Sequence, residues 1–394
     1  MRVVLITSFY PPSWNACAVR CYYFVKAFRE RAWNVDVLVP IQPNRKESIK
    51  IGDFGERIIR LKFYTIPRSM FFDAFSTMVG TLNLIRKLSK RRCDVAVATV
   101  PPPDTSLIAH HFKAFNIVHK FVVDIRDDVA STLKEQFSYE GPLSSLQLSL
   151  AKASVPFYHE ILKEADLVTT VTEGFSKYYQ STLGIKTEVV YNGSDCKLFF
   201  KASQFDKRDG NKGIIVADLE APYHGVDIVL KAISLLLNEQ LQLIIVGEGK
   251  YKKAYKKLAK ELGLSDVVRF TGSIPYANIP HFLVKASFGI VGRPDALNWR
   301  LSIPTKLFEY ISTGLPVFAF GPKDSEVERL INSYRIGMYV PSSDPKRIAK
   351  ALKAFIYARF NRNKILNVAS KFNRSSWARR MAKLIQNMVG TLKV

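Results

Sequence analysis

Short apolar runs alternate with amphipathic stretches along the chain, and the alternation predicts strand–helix–strand units. An apolar run over 2–8, opened by Val3-Val4-Leu5-Ile6, stops at Tyr10-Pro11-Pro12. Residues 18–31 place Phe24, Ala27 and Phe28 on one helix face and end in Arg29, Glu30 and Arg31. Val35-Asp36-Val37-Leu38-Val39 reads as the next strand. Strand, helix and strand in that order predict parallel pairing through right-handed crossovers. Further strands are expected at 94–99, which ends on Pro101 to Pro103, and at 120–125, 165–171 and 187–191. After them come Asn192-Gly193 and a polar stretch from Ser203 to Lys212, the best boundary signal in the chain. The second half repeats the alternation, with strands expected at 213–216, 241–246, 268–272, 288–291 and 316–320. The fold expected is α/β, with two doubly wound, Rossmann-like parallel-sheet domains. The first spans 1–195 and the second 196–374; a last helix within 375–394 is expected to return to the first.

Length agrees with that division, since 394 residues suit two domains of ordinary size. Hydrophobic content of 47% supplies two cores and excludes a disordered chain. The four cysteines, 17, 21, 93 and 196, form no Cys-x-x-Cys pair and are expected to be reduced. The first residues lack the pattern of a signal peptide, and no run of about 20 apolar residues predicts a membrane span. A cytoplasmic location is therefore expected.

Charge changes the picture more. The formal net charge is +24, and from Pro345 to Val394 there are thirteen Lys or Arg and no Asp or Glu. Such a surplus draws anionic partners or keeps an ordinary surface soluble. Residues 57–75 mix Arg57, Arg60, Lys62 and Arg68 with Phe63, Tyr64, Phe71, Phe72 and Phe75, a composition suited to an anionic membrane surface or to a packed helix with solvated charges. No basic helix with base-reading side chains and no aromatic stacking platform is visible, so nucleic acid is not the expected partner.

Three segments carry candidate chemistry. In Pro304-Thr305-Lys306-Leu307-Phe308-Glu309-Tyr310, followed by Gly314-Leu315-Pro316, proline and glycine bracket a helix. Lys306 and Glu309 share one face of it. Its amino end suits a phosphate, Lys306 adds a cation there, and Glu309 can accept from ribose hydroxyls. Spacing alone is equally compatible with a surface ion pair. Asp124-Ile125-Arg126-Asp127-Asp128 ends a predicted strand, where open α/β sheets bind ligands. Asp127 there can steer an acceptor hydroxyl with Arg126 as its partner, or the group is a solvated turn. Gly247-Glu248-Gly249 follows a strand and permits either a close ligand approach or a tight turn. No G-x-G-x-x-G follows the first strand, no P-loop occurs, and His110-His111 lacks metal-type partners.

Taken together these landmarks resemble glycosyltransferase family 4, a retaining family of GT-B architecture, over nearly the whole chain. Ser8-Phe9-Tyr10-Pro11-Pro12 and the helix to Arg31 look like the family's opening, with Asn15-Ala16 where a Gly-Gly pair commonly lies under the donor. Trp33 stands where a helix-ending glycine is common. Asp124 to Asp127 resembles one branch of the family, whose members often build surface glycans, and 165–173 and Tyr191 to Asp195 also resemble family segments. Two departures stand out: His224-Gly225 replaces a Lys–Gly pair, and Leu301 replaces the first of two glutamates, the second being Glu309. The resemblance implies two domains facing a central cleft and transfer of a hexose-type sugar from a nucleotide diphosphate-sugar to a lipid-linked glycan, without a metal. It implies donor contacts from Glu309, Lys306, Ser302, Ile303, His224, Gly225, Gly247, Asn15 and Ala16, with Arg300 adding charge. Asp127 and Arg126 act on the acceptor side. The alternatives are a soluble sugar-nucleotide epimerase and a non-catalytic GT-B protein.

Overall fold

The computed structural model describes residues 1–12, 15–41, 44–62, 92–132, 143–204 and 211–390. The chain divides into two compact units. One holds Met1–Tyr191 and Ser375–Val394; the other holds Asn192–Arg374. The division falls at Asn192 rather than after 195 because Ser194 already pairs with Asn373 and donates its amide to Phe372 O at 3.0 Å.

In the first unit the strands are β1 (Arg2–Ile6), β2 (Asn34–Ile41), β3 (Ser48–Ile51), β4 (Arg57–Lys62), β5 (Cys93–Val100), β6 (Val118–Ile125), β7 (Leu167–Thr170) and β8 (Glu188–Val189). They lie in the order β3-β4-β2-β1-β5-β6-β7-β8, parallel except that β3 runs against β4. The order reverses direction between β1 and β5, the switch point of a doubly wound sheet. Apolar residues of β1 and β2, such as Val3, Leu5, Val35 and Val37, meet Phe24 and Phe28 of the helix Ala16–Arg29 in one core. Ala378, Met381, Ala382 and Ile385 of the helix Arg374–Gly390 join that core, so the C-terminal segment returns to this unit. Trp33 replaces the expected glycine without strain, because Ala32 takes the left-handed conformation (φ 57°) that ends the helix. The indole then stacks on Phe28, 5.3 Å between ring centres.

In the second unit β9 (Asn211–Val216), β10 (Leu241–Val246), β11 (Val268–Gly272), β12 (Phe288–Gly292), β13 (Val317–Phe320) and β14 (Gly337–Val340) form one parallel sheet. The order β11-β10-β9-β12-β13-β14 places its switch point between β9 and β12. Both units have the expected doubly wound α/β architecture. β3, β4 and β14 were not foreseen. In β3 the apolar Ile49 and Ile51 face solvent at an edge, and β14 is half-buried throughout, so neither shows a strong burial pattern. All four cysteines are free; Cys17, Cys21 and Cys93 are buried and Cys196 is half-buried.

No described helix is long and apolar enough to cross a membrane. Of the basic residues expected at an interface, Arg57 is spent on Asp36, with contacts of 2.8 and 2.6 Å. Arg60 donates to Pro11 O at 2.6 Å. The remainder of that segment from Phe63 on, including Tyr64, Arg68, Phe71, Phe72 and Phe75, lies outside the described residues.

Candidate active site

The carboxyl ends of β1, β5 and β6 carry the first unit's candidate residues. Asp124, the penultimate residue of β6, is fully buried. Arg20 reaches it from the helix Ala16–Arg29 with Nε at 2.8 Å and Nη2 at 2.7 Å, and Thr169 Oγ1 donates at 2.7 Å. Two parallel N–H···O bonds give this pair its geometry, so Asp124 is a structural charge. Arg126 does not take the expected partner in any hydrogen bond seen here. Its side chain donates to Pro101 O and its amide to Val100 O at 2.8 Å, while its buried Nε has no hydrogen-bond partner among the described residues. Asp127 is half-buried beside it. Asp128 is buried and accepts from Ser131 N (2.8 Å) and Tyr179 Oη (3.1 Å). Asn15 caps the helix by accepting from Ala18 N at 2.8 Å, and Asn15 and Ala16 are both exposed at that helix end. Hydrogen bonding from Cys21, helped by the charge of Arg126, brings the buried Cys17 thiol down to about 6 against the effect of burial.

In the second unit the helix Thr305–Ser312 begins after Pro304 and ends with Gly314 at φ 72°. Tyr310 locks it to the sheet. Its hydroxyl accepts from Val216 N at 2.9 Å, and its ring fills the space over Gly289, where a Cβ would lie 2.1 Å away. With Tyr310 fixed, Lys306 sits at the amino end of the helix and Glu309 one turn deeper, as the spacing predicts.

Around Lys306 the cations converge. Arg293 follows directly on β12 and is 4% exposed. Its amino group donates to the hydroxyl and the carbonyl of Ser302, and its guanidinium lies 4.2 Å over the Trp299 ring. Lys306 Nζ stands 3.4 Å from His224 Nδ1. Burial, and then the charge of Arg293, push Lys306 down to about 7, although Glu309 and Asp218 oppose the shift. Burial and the two neighbouring cations hold His224 well below the usual imidazole range, so the ring is neutral. With Nδ1 facing an ammonium donor, the proton belongs on Nε2, which leaves that nitrogen as a donor. Gly225, at φ 60°, lets the His224 loop turn into the helix Val226–Ser234; a Cβ there would lie 2.9 Å from the Phe320 ring. The loop is pressed onto the end of β12, since a Cβ on Gly292 would meet His224 O at 2.5 Å. Three nitrogenous side chains thus gather at the switch point of this sheet, where Arg293 lowers both Lys306 and His224 and Lys306 lowers His224. Such a cluster is stabilised by an anion.

Glu309 is 5% exposed and its carboxyl is pushed up by burial, against the effects of Arg374, of a hydrogen bond with Tyr276 and of Lys306. Arg374 Nη1 donates to Tyr276 Oη at 3.1 Å, and the same guanidinium holds Gly193 O (2.9 Å) and Asn192 O (3.2 Å).

Residues 199–372 match the family model described as "Glycosyl transferases group 1". The second unit carries a group 1 glycosyltransferase domain. A probable glycosyltransferase, WbjE of Pseudomonas aeruginosa, is 27% identical over 128 residues, which span 32% of this chain and 32% of that relative's length. The fold is shared end to end with sucrose-phosphate synthase from Thermosynechococcus elongatus (TM-score 0.79, 17% identity, 99% of each chain). It is shared also with Anabaena HepE, solved in complex with UDP and glucose (TM-score 0.67, 15% identity, 98% of this chain and 99% of that one). These are likenesses to glycosyltransferases of GT-B architecture, the fold class expected here.

Within the group 1 domain the structure brings together Lys306, His224, Gly225 and Ser302, with Ile303 buried alongside. It corrects three assignments. Arg300 does not supply the extra cation, because Asp295 holds it at 2.8 and 3.1 Å; Arg293, which no motif singled out, does. The Ser302 amide is spent on Asn298 O at 2.9 Å, so Ser302 serves the cluster by holding Arg293. Gly247 (φ 154°) lacks a side chain for an internal reason: a Cβ would lie 1.8 Å from Ala217 O. Tyr276 and Arg374 were also missed. Arg293 had a legible signal, a charge directly after a buried strand, whereas Tyr276 and Arg374 are far apart in sequence and gave none.

Proposed function

We propose that the whole chain is a glycosyltransferase that binds a nucleotide diphosphate-sugar in its group 1 domain. It passes a hexose-type sugar, with retention, to a lipid-linked glycan held by the first unit, and works peripherally at the cytoplasmic face of a membrane. The observation that carries this reading is the gathering of Arg293, Lys306 and neutral His224 at the switch point of β9 and β12, at the amino end of a helix. A diphosphate leaving group restores the charge of Lys306 and accepts from His224 Nε2–H and the helix amides, and it gains negative charge as the sugar–phosphate bond breaks. Glu309, oriented by Tyr276, takes the ribose hydroxyls, and Asp127 steers the acceptor hydroxyl. Asn15 and Ala16 stand as further donor contacts. The complex of Anabaena HepE with UDP and glucose supports the donor class, and the resemblance of Asp124 to Asp127 to the surface-glycan branch supports the acceptor class. In this reading the side chains stabilise the leaving group and no metal is required, so stabilisation by a donor is expected to survive added EDTA.

Thermal-shift screening against UDP-, GDP- and ADP-sugars tests the reading. Stabilisation by one donor supports it and names the base; no response from a folded sample rejects it. The competing non-catalytic reading is favoured by Leu301, which leaves the sugar-facing position without its usual carboxylate. Donor binding without release of nucleoside diphosphate, with or without lipid-linked acceptor, identifies that case. Formation of an epimerised nucleotide sugar identifies an epimerase.

Two further results are expected. Glu309→Ala weakens donor binding by a charge-assisted hydrogen bond, roughly 1.5–3 kcal/mol or ~10–100-fold. Isothermal titration reads this, and an unchanged affinity removes Glu309 from the donor site. Donor binding also takes up a proton. Free Lys306 titrates at about 7 and the diphosphate raises that value. At pH 8 the free amine is mostly neutral and the bound one charged. Affinity therefore increases as pH falls toward 7 and levels off below it. Titration in buffers of different ionisation enthalpy measures the uptake, and a buffer-independent enthalpy at pH 8 contradicts it.

A further inference from the structure

A second concentration of charge lies at the other end of the same sheet. A cavity of about 720 Å³ opens near the amino-terminal ends of β9, β10 and β11, lined by Lys212, Lys256, Lys260, Arg269 and Lys285 and by one carboxylate, Asp266. Four lysines elsewhere in this unit do face an acid: Lys252 with Glu248 at 2.6 Å, Lys353 with Glu239 at 2.5 Å, and Lys231 and Lys257 with acids one turn away at 3.8 Å. None of the five cavity cations has an ion pair or a side-chain hydrogen bond among the described residues. Unmatched like charges around one cavity repel one another, and a bound anion removes that repulsion.

The number and spread of the cations select the anion. Lys212 pairs in register with Gln242, and Ile244 with Arg269, so Lys212 and Arg269 lie two strands and two residues apart. At ~4.8 Å between strands and ~3.3 Å per residue their backbones stand about 12 Å apart. Lys256 and Lys260 are one helical turn from each other, roughly 6 Å. Five cations against one carboxylate leave four positive charges in excess around the cavity, more than the roughly two charges of one phosphate neutralise and a match for two or more linked phosphates. The volume also suits a small ligand or a headgroup. We propose that this cavity is a second anion site, separate from the Lys306 cluster, that takes a ligand bearing two or more phosphate groups.

Such a ligand is either a soluble oligophosphate or a phospholipid headgroup, and two probes separate them. Sodium tripolyphosphate is titrated calorimetrically, and cardiolipin-containing phosphatidylcholine vesicles are used in flotation. Each is applied to the wild type, to the triple variant Lys256→Ala/Lys260→Ala/Arg269→Ala, and to Lys306→Ala. These three residues are exposed, so the triple variant is expected to fold; its thermal midpoint verifies this. The expected result is at least a tenfold loss of affinity for one or both probes in the triple variant and retained binding in Lys306→Ala. Loss confined to vesicles assigns a headgroup, and loss confined to tripolyphosphate assigns a soluble ligand. Equal binding by wild type and triple variant, or no binding of either probe by the wild type, overturns the proposal. Lys306→Ala keeps the test independent of the donor site, so failure of one reading leaves the other standing.

Discussion

Lys306→Ala is expected to lower turnover about 10²–10³-fold, the usual loss when one preorganised donor to a developing anion is removed. The effect falls on kcat/KM measured as release of nucleoside diphosphate. In the proposed reading the cation sits where charge appears on the leaving group, and neither its neutral neighbour His224 nor Arg293, turned toward Ser302 and Trp299, replaces it. Stability is expected to move the other way. In the free protein Lys306 is held near neutrality by burial and by Arg293, so it does not favour folding at neutral pH. In linkage terms the folded state binds fewer protons there than the unfolded state between about pH 7 and the ordinary lysine value. The penalty is fully present below about 7 and is lost as pH rises to that value. An unchanged or raised melting temperature together with a collapse of turnover identifies an active-site cation. Full turnover in the variant places the diphosphate elsewhere.

Asp124→Ala is expected to destabilise the first unit strongly. Asp124 and Arg20 are 0% and 3% exposed, and the carboxylate also receives Thr169. Removing it leaves a guanidinium buried without its counter-charge, a loss of about 3–5 kcal/mol. For a unit of this size that lowers the melting midpoint of the first unit's transition by roughly 6–20 °C. The double replacement Arg20→Met/Asp124→Leu is expected to recover most of the loss, because it removes both charges and fills the space. A drop as large in the double variant as in the single one shows that the pair is needed for geometry rather than charge balance.

The amphipathic helices and buried strands were legible because their patterns are local. A parallel strand buried on both faces reads as a continuous apolar run, as β1 after its first residue and β13 do throughout and β5, β6 and β10 do over 95–98, 121–123 and 243–246. β3 and β14 escaped for the complementary reason: one is an exposed edge and the other half-buried. Proline and glycine at 304 and 314 marked the helix that carries Lys306 and Glu309, and the structure places both ends there. Helical spacing then set these two side chains on one face whatever the rest of the chain did.

Which charges work together was settled by chain crossings that local patterns do not encode. The segment 124–128 read as candidate chemistry at Asp127 and Arg126, and nothing local showed that Arg20, 104 residues away, holds Asp124. Arg300 and Arg293 lie seven positions apart and look alike in sequence. One folds back on Asp295, and the other is carried by the end of β12 into the cluster. Gly247 was equally ambiguous, since a missing side chain serves a ligand or a neighbouring backbone equally well, and only the position of Ala217 O decided for the backbone. The sequence by itself determined the elements, the doubly wound architecture and the helix bearing Lys306 and Glu309, because those depend on periodicity and turn chemistry within a few residues. Tertiary structure alone decided the partner of each buried charge, because a charge is neutralised by whichever group the fold brings within about 3 Å, at any distance along the chain.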